Sequence, residues 1–460
     1  MSTLNARLER MLTTEQFRYK ELRGMFFTLT LDQFFICFIS LLSTALVSSV
    51  GEAAIAAVSM VGTLNGMVSL VFTSLASGGA IVVSRAKGSG DAQEIRRAIG
   101  EVTGLCAAVS LVLSLLLFTL SEPLVRALYP RVEPLLITYA VRYMRMMAVS
   151  FIPFSVFNAI FCIFRSLGDT RSSLLLTIVI NLAHLLLSLL FINGLNMGVS
   201  GSGLSYIIAR TIGMLLALFW LFRHNIYGVR AHHFFRFKPA VTLEIASLGM
   251  PLAVEALLMQ GGMLLVQVYL AHLTTTDLAA HAVANSLLNL HYTTANALTA
   301  LAGTVCGQCY GARRYDLTRA YCRSFIRVGR FVLLATVLVL YPLLPLLLRL
   351  YRASEQGTAI IYTALSIGVF SLPVLWCDGN IPTITLRVAG DSVYASAVSV
   401  LSLLLGRCAL GYILTVPVGL GVPGVWIALV FEWLLRAVAL NLRLKSGKWL
   451  HEAPPHDAKP

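Results

Sequence analysis

The chain has 460 residues, of which 57% are hydrophobic and 12% charged, with a formal net charge of +14. Ordinary soluble domains carry roughly 25% charged residues, so a water-soluble fold is excluded and the chain belongs in lipid. A charge of this size would suit nucleic acid in a soluble protein; its placement along the chain, described next, argues against a nucleic-acid partner.

The first 23 residues are polar, so no cleavable signal peptide is visible and the first span is expected to serve as the targeting signal. Twelve long apolar segments follow, at 24–50, 53–84, 98–121, 132–164, 172–194, 202–222, 247–272, 277–306, 328–348, 356–386, 395–417 and 421–442. Each reaches the ~20 residues that a membrane-spanning helix needs. The prediction is an all-α integral membrane protein of twelve transmembrane helices. Its parts are a cytoplasmic segment 1–23, a first lobe 24–222 (spans one to six), a linker 223–246, a second lobe 247–442 (spans seven to twelve) and a tail 443–460.

The cations fall mostly on one side of these spans. Arg18, Lys20 and Arg23 precede span one, Arg85, Lys87, Arg96 and Arg97 follow span two, Arg165 and Arg171 follow span four, and Arg313, Arg314, Arg319 and Arg323 follow span eight. The opposite loops hold little beyond Arg126, Arg131, Arg349 and Arg352. By the positive-inside rule both ends are expected in the cytoplasm. The linker, Arg223 to Glu244, is basic and aromatic and reads as an interfacial segment. The eight cysteines are scattered mostly through the spans and read as packing residues; Cys306 and Cys309 form a lone CxxC with no second ligand pair at metal spacing.

An internal repeat organises the chain. Phe164 to Ser173 (FRSLGDTRSS) recurs as Leu386 to Ala395 (LRVAGDSVYA), so Arg165, Gly168 and Asp169 match Arg387, Gly390 and Asp391, 222 residues on. Gly198 matches Gly421, Ala56-Ala57 matches Ala279-Ala280, Gly88 matches Gly311 and Arg126 matches Arg349, all at 223. An even number of spans in each copy gives both copies the same orientation, so they are parallel repeats, an arrangement found in transporters that rock two bundles about a central site.

Several charges lie where lipid should be. In the repeat register Glu255 matches Asp32, and Asp378 belongs to the second copy alone. Helix rise puts all three ~12–14 Å deep, near the centre of a ~30 Å hydrocarbon core. Intramembrane charges are costly and mark pathways or ion pairs, and Arg210, Arg407 and His184 are the candidate partners. The first half sets Asp32 against Arg210, while the second sets Glu255, Asp378 and Glu432 against Arg407 and Arg436. The second half is therefore expected to carry surplus negative charge and to be the first place to look for a bound cation. Asn181, Asn285, Asn289, Asn380, Gln260 and Tyr292 are polar residues that would line a cavity or bond helix to helix. Gly62 to Gly66 (GTLNG) reads as close helix packing, and the GSGD of Gly88 to Asp91, with Asp316, lies in basic loops where a peptidase pair would be of no use. No HExxH, GxSxG or phosphate-binding loop is present, so neither an enzyme nor an ATP-driven pump is indicated.

Taken together, these residues resemble the multidrug and toxic compound extrusion (MATE) family over essentially the whole chain. The resemblance is carried by the two Arg-x-x-Gly-Asp motifs, the ASGGAIVVSRAKGSGD segment of Ala76 to Asp91, the Gly-Val-x-Gly openings at Gly198 and Gly421, and the ending GVWIALVFEWLLRAVALNLRLKSGKW. It implies two pseudo-symmetric six-helix lobes about a V-shaped cavity and export of organic cations in exchange for H+ or Na+, with no other cofactor. It also implies a site built on Glu255, four residues after Pro251, with Asp32 as its equivalent and Asp378 near a tenth-helix aspartate. Na+ would be held at Glu255 and Asp378, and Asn181, His184 and Arg407 are further candidates for the cation and substrate site. The sequence departs from the family at Ser43, where a first-helix aspartate is frequent, and at Asn181, His184 and Ser188, which replace an Asn-x-x-Asn-x-x-x-Asp pattern.

The expected mechanism is competition at shared carboxylates: a midplane Glu255 or Asp378 binds a proton, a metal cation or an organic cation, but not all at once. The chain is expected to work as a monomer in a cell membrane, the bacterial inner membrane. The rival readings are a flippase of the same broad superfamily for a lipid-linked or other anionic substrate, which Arg142, Arg145, Arg210 and Arg407 would favour, and a membrane enzyme, for which His184 alone does not supply a site.

Overall fold

The computed structural model describes residues 16–47, 52–130, 132–224, 227–351 and 354–450. The chain is built of helices: α1 (Tyr19–Val47), α2 (Glu52–Ser89), α3 (Ala92–Thr119), α4 (Ser121–Leu128), α5 (Pro134–Ser166), α6 (Thr170–Ser188), α7 (Gly198–Arg223), α8 (Pro239–Leu270), α9 (Thr275–Gly311), α10 (Tyr315–Leu340), α11 (Leu344–Tyr351), α12 (Glu355–Val388), α13 (Ser392–Ser402), α14 (Gly411–Thr415) and α15 (Val422–Ser446). A wider π-helical turn, Leu189–Gly194, ends α6, and another, Leu403–Leu410, joins α13 to α14. Among the described residues nine helical stretches are long and apolar enough to cross a membrane. With α1, α9 and α10, of 29, 37 and 26 residues, the chain has the twelve spanning helices of the fold. Polar residues can sit in such helices because a helix satisfies its own backbone, the strictest demand that lipid makes.

The helices divide into two units, Phe27–Leu257 and Leu258–Pro460 with the residues up to Phe26, so the divisions fall inside α1 and α8. In the first unit α5 is the central helix, packed on α2, α3 and α7. Its apolar face, with Tyr143, Met144, Met147 and Phe151, is buried, and Phe151 meets Phe72 of α2 with ring centres 5.5 Å apart. In the second unit α12 has the same place, packed on α9, α10 and α15. Each central helix contains proline, Pro153 in α5 and Pro373 and Pro382 in α12, which neighbouring helices make tolerable.

The duplicated Arg-x-x-Gly-Asp motif ends both central helices, and its glycines have a structural reason. Gly168 and Gly390 take φ of +84° and +98°, a conformation that costs a residue with a Cβ far more than glycine. The aspartates that follow have diverged. Asp169 caps α6, accepting from Ser172 N at 3.1 Å, whereas Asp391 makes no cap bond and binds Arg443 Nε at 2.7 Å. Asp91 of the GSGD turn is likewise a helix cap, accepting from Gln93 N at 2.7 Å at the start of α3.

The linker lies against α3 of the first unit. A 3-10 turn, Ala231–Phe235, sits where α3 has Gly100 and Gly104: a Cβ on Gly100 would lie 2.7 Å from the His233 carbonyl oxygen, and one on Gly104 would overlap that of Phe234. Polar contacts hold the same surface, with Arg96 Nε donating to the Tyr227 carbonyl oxygen (2.7 Å), Lys87 Nζ to Tyr227 Oη (2.6 Å) and Arg85 paired with Glu244 (2.8 Å). The close-packing glycines are these, and not the pair expected from GTLNG. A Cβ at Gly62 or Gly66 would meet nothing within 4 Å among the described residues, while one on Gly78 would lie 2.6 Å from the Gly249 backbone. The pattern of two glycines four apart reports proximity only when a neighbouring backbone is there to use it.

The expected outcome is that Gly104→Val displaces the linker and destabilises the protein by ~1–3 kcal/mol through overpacking, whereas Gly66→Ala does not lower stability. Thermal unfolding of the two purified variants against the native protein measures the difference.

Candidate functional site

In the first unit the buried polar groups form a line along α1, α6 and α7. Asp32 of α1 is 1% exposed, and its Oδ1 has no hydrogen-bond partner among the described residues. Its other oxygen meets Gln33 Nε2 only at 3.5 Å, the outer limit for a hydrogen bond. Thr177 of α6 lies beside the carboxylate and donates its own hydroxyl to the Ser173 carbonyl oxygen (3.1 Å). One turn on, Asn181 Nδ2 donates to the Thr177 carbonyl oxygen at 2.8 Å. Spacing of four residues puts Thr177 and Asn181 on one face of α6.

His184, the next turn again, belongs to a different cluster. Its ring lies 4.1 Å from that of Tyr206 on α7, and its Nε2 is 3.5 Å from Ser188 Oγ, which donates to Ser205 Oγ at 3.0 Å. Tyr206 leads to Arg210, 8% exposed, whose guanidinium sits over Phe154 (4.4 Å), Tyr206 (5.1 Å) and Phe151 (5.9 Å) and donates to Ser150 Oγ at 2.6 Å. Aromatic faces offer a buried cation ~2 kcal/mol or more, so this arginine is held by rings and a hydroxyl, not by a carboxylate. The expected balance of Asp32 against Arg210 does not occur: the two are partnered separately.

The second unit pairs its charges. Glu432 of α15, 1% exposed, sits between two guanidiniums, Arg407 Nε at 2.7 Å and Arg436 Nη2 at 2.7 Å. Arg407 rides on the π-helical turn, next to Gly406, where a Cβ would stand 2.9 Å from the Glu432 backbone. The missing side chain lets the turn approach α15, and the extra residue in the turn aims Arg407 at the carboxylate. Arg407 is held from behind by Met263 Sδ (3.2 Å), and its carbonyl oxygen accepts from Tyr269 Oη (2.9 Å). Asp378 of α12 is gripped by both arms of Arg330 from α10, at 2.8 Å to each oxygen from Nη2 and 3.1 Å from Nε. Its neighbour Gly379 lies against the Arg436 side chain, 3.4 Å from Cδ for an added Cβ.

Charge is thus distributed differently from the expectation. Within the second unit this layer holds Asp378 and Glu432 against Arg330, Arg407 and Arg436, so it has no surplus of negative charge. Glu255, which the repeat assigns to the second copy, is half-buried on the part of α8 that clusters with the first unit. The first unit also holds Glu101, 1% exposed on α3, whose Oε2 accepts from Thr242 Oγ1 at 3.3 Å near the start of α8. Arg330 is the residue that sequence reasoning passed over, because it lies close to the expected start of its span and has no counterpart in the first copy, where the register gives Ala107. Asn380 bonds within its own helix to the Trp376 carbonyl oxygen (2.9 Å), and Tyr292 packs between Trp376 (5.8 Å) and Trp433 (6.2 Å). Cys306 and Cys309 are buried thiols, and among the described residues no three His, Cys, Asp or Glu side chains are placed to hold a metal ion. Ser43, in α1, lies where side chains are outside the described structure.

The family profile described as MatE matches residues 29–190 and 251–413, one stretch in each copy of the repeat. The chain belongs to the MatE family. Two relatives of this MatE chain are a probable multidrug resistance protein NorM of Thermotoga maritima, 22% identical over 83% of this chain and 82% of the relative, and an uncharacterized transporter, YisQ, of Bacillus subtilis, 20% identical over 89% and 90%. Among solved structures, a multidrug resistance MATE family transporter of the MOP superfamily, in an outward-facing conformation, superposes with a TM-score of 0.83 at 18% identity, covering 93% of this chain and 96% of that one. A MOP superfamily transporter from Pyrococcus furiosus, reported with reversed binding-pocket polarity, gives 0.82 at 19% identity over 94% and 96%. The MatE chain therefore has the MATE fold of twelve transmembrane helices in two lobes, and is a multi-pass membrane transporter.

Replacing Glu432 with Gln leaves two buried guanidiniums facing each other, and is expected to cost about 3–5 kcal/mol. Arg330→Gln removes a pair whose arginine side chain is 47% exposed, and should cost no more than ~1 kcal/mol. Unfolding of both variants in detergent checks the order.

Proposed function

We propose that this transporter is a secondary active multidrug exporter that moves organic cations out of the cell in exchange for H+ or Na+. Both termini lie in the cytoplasm, the membrane is the bacterial inner one, and the monomer is the working unit. The family and the relatives named for multidrug resistance support the substrate class. The observation that carries the ion coupling is Asp32: a carboxylate 1% exposed, with one oxygen unbonded among the described residues and only Thr177, Gln33 and the field of Arg165 to offset its charge. A buried charge so thinly partnered is costly, so a proton, Na+ or an organic cation each relieves the same deficit, and each excludes the others. Thr177 and Asn181 line the approach to that carboxylate. Glu255 is the second candidate ligand on the same side of the division. Asp378 can take part only by exchanging Arg330 for the incoming cation, and Arg407 and His184 serve by positioning their neighbours, Glu432 and Tyr206. Occupancy then biases the two lobes between inward-open and outward-open arrangements.

A second reading has its own observation. Arg210 is a buried guanidinium held by three rings and Ser150, and it would suit an anionic substrate, in keeping with the reversed polarity reported for the Pyrococcus furiosus relative.

Energised vesicles loaded through the native and variant proteins separate the readings. Asp32→Asn is expected to lower ethidium export at least about tenfold with protein level unchanged, and Asp378→Asn to lower it less. Export by Asp32→Asn at the native rate would contradict the assignment. Loss of export in Arg210→Gln, with Asp32→Asn unaffected, would favour the anion reading.

A further inference from the structure

The internal repeat gives two equivalent grooves, one filled by the chain and one that is open among the described residues. In the first unit the groove between α3 and α7 is filled by the chain itself: His233 sits on Gly100, and Phe234 on Gly104 and against Phe222, with ring centres 5.8 Å apart. In the register of 223, Gly100 corresponds to Arg323, Arg96 to Arg319 and Phe222 to Lys445. The equivalent groove in the second unit, between α10 and α15, is a cavity of about 80 Å3 lined by Arg319, Arg323, Lys445, Asn441, Ile326 and Leu444 among others. That is several times the roughly 10–15 Å3 that holds one water.

The charges in this groove are unlike their neighbours. Arg443 is paired with Asp391 and Arg330 with Asp378, yet Arg319, Arg323 and Lys445 have no ion-pair partner among the described residues. The position of Arg319 is built nonetheless. Arg319 stands over the ring of Trp449 (5.8 Å), and Trp449 is buried with its Nε1 donating to the Leu444 carbonyl oxygen at 3.0 Å. Asn441 spends its amide hydrogens on the carbonyl oxygens of Asp378 (2.9 Å) and Ala437 (2.8 Å), which leaves its acceptor oxygen uncommitted to those bonds. Three cations around a hollow with an apolar wall at Ile326 and Leu444 match one chemistry: a phosphate diester whose charge meets the cations and whose glycerol and acyl portion runs along the wall.

We propose that the groove between α10 and α15 binds the phosphate of an anionic membrane phospholipid. Basic pockets between spanning helices on the cytoplasmic side are suited to such headgroups, with ~1 kcal/mol for each nearby Lys or Arg. The inner-leaflet location rests on the orientation proposed above, while the binding itself does not. Where the first unit closes this groove with its own linker, the second closes it with lipid.

Native mass spectrometry of the full-length protein in detergent, titrated with phosphatidylglycerol, phosphatidylcholine or inorganic phosphate, tests the site without reference to transport. The native protein should retain phosphatidylglycerol over phosphatidylcholine by roughly tenfold or more. Arg323→Gln with Lys445→Gln should lose that preference, the charge-keeping Arg323→Lys with Lys445→Arg should keep it, and Arg126→Gln, on the short helix α4 of the first unit, should leave it unchanged. An unchanged preference in the double glutamine variant overturns the proposal, as does loss in the charge-keeping pair. Inorganic phosphate held as tightly as the lipid would overturn the lipid assignment in favour of a soluble anion.

Discussion

A charge buried among membrane-spanning helices must find an opposite charge, a polar cradle or an occupant that comes and goes, and the arrangement of this molecule follows from how each unit meets that demand. The second unit meets it internally. Glu432 is clasped by Arg407 and Arg436, both at 2.7 Å, and Asp378 by Arg330. Such clusters hold helices in register but leave no single charge waiting for a ligand, since removing either partner strands the other in low dielectric. The first unit meets the demand incompletely. Arg210 is supplied with aromatic faces, while Asp32 has Thr177 beside it, the field of Arg165, and one oxygen without a bond among the described residues. In a duplicated protein this is a difference between the copies: one pairs its buried acids with guanidiniums, and the other leaves a carboxylate oxygen unbonded among the described residues.

Glycine and helix geometry decide where those charges can go. Gly406 allows a π-helical turn to come within contact of the Glu432 backbone, and the turn carries Arg407 to the carboxylate. Gly100 and Gly104 allow the linker onto α3, which in turn brings Thr242 to Glu101 and Glu244 to Arg85. The first half of α8 is thereby tied to the first unit and Glu255 with it, although the repeat counts that glutamate in the second copy. Position in the chain and membership of a packed unit are different properties, and the packing decides which charges act together.

Much of the fold could be read from the residues because it rests on local or repeated signals. Twelve apolar stretches follow from hydropathy, and the duplication follows from motifs such as Gly168-Asp169 and Gly390-Asp391, whose glycines occupy left-handed turns in both copies. Asn181 and His184 of α6 stand out in the sequence as polar residues within an apolar span, whereas Thr177 beside Asp32 does not. What could not be read were the partners. Arg330 and Asp378 are 48 residues apart, and nothing in the pattern joins them; leaving aside charges near span ends removed Arg330 from the balance and produced an expected surplus of negative charge where the structure has none. Gly62 and Gly66 mimic a packing motif but face no neighbouring atom within 4 Å, because the motif records what is permitted and not what is adjacent. The register also placed Asp32 and Glu255 as equivalents without indicating that, among the described residues, one oxygen of Asp32, like one of Glu101, would lack a hydrogen bond.

The account turns on one exchangeable carboxylate shared by ion and drug. Equilibrium binding of tetraphenylphosphonium to the purified transporter, followed as Na+ is raised and as pH is lowered, tests it without the complications of turnover. The account predicts that one of the two ions competes with the organic cation in the native protein and in Asp378→Asn, and that this competition disappears in Asp32→Asn. Competition that persists unchanged in Asp32→Asn would contradict it.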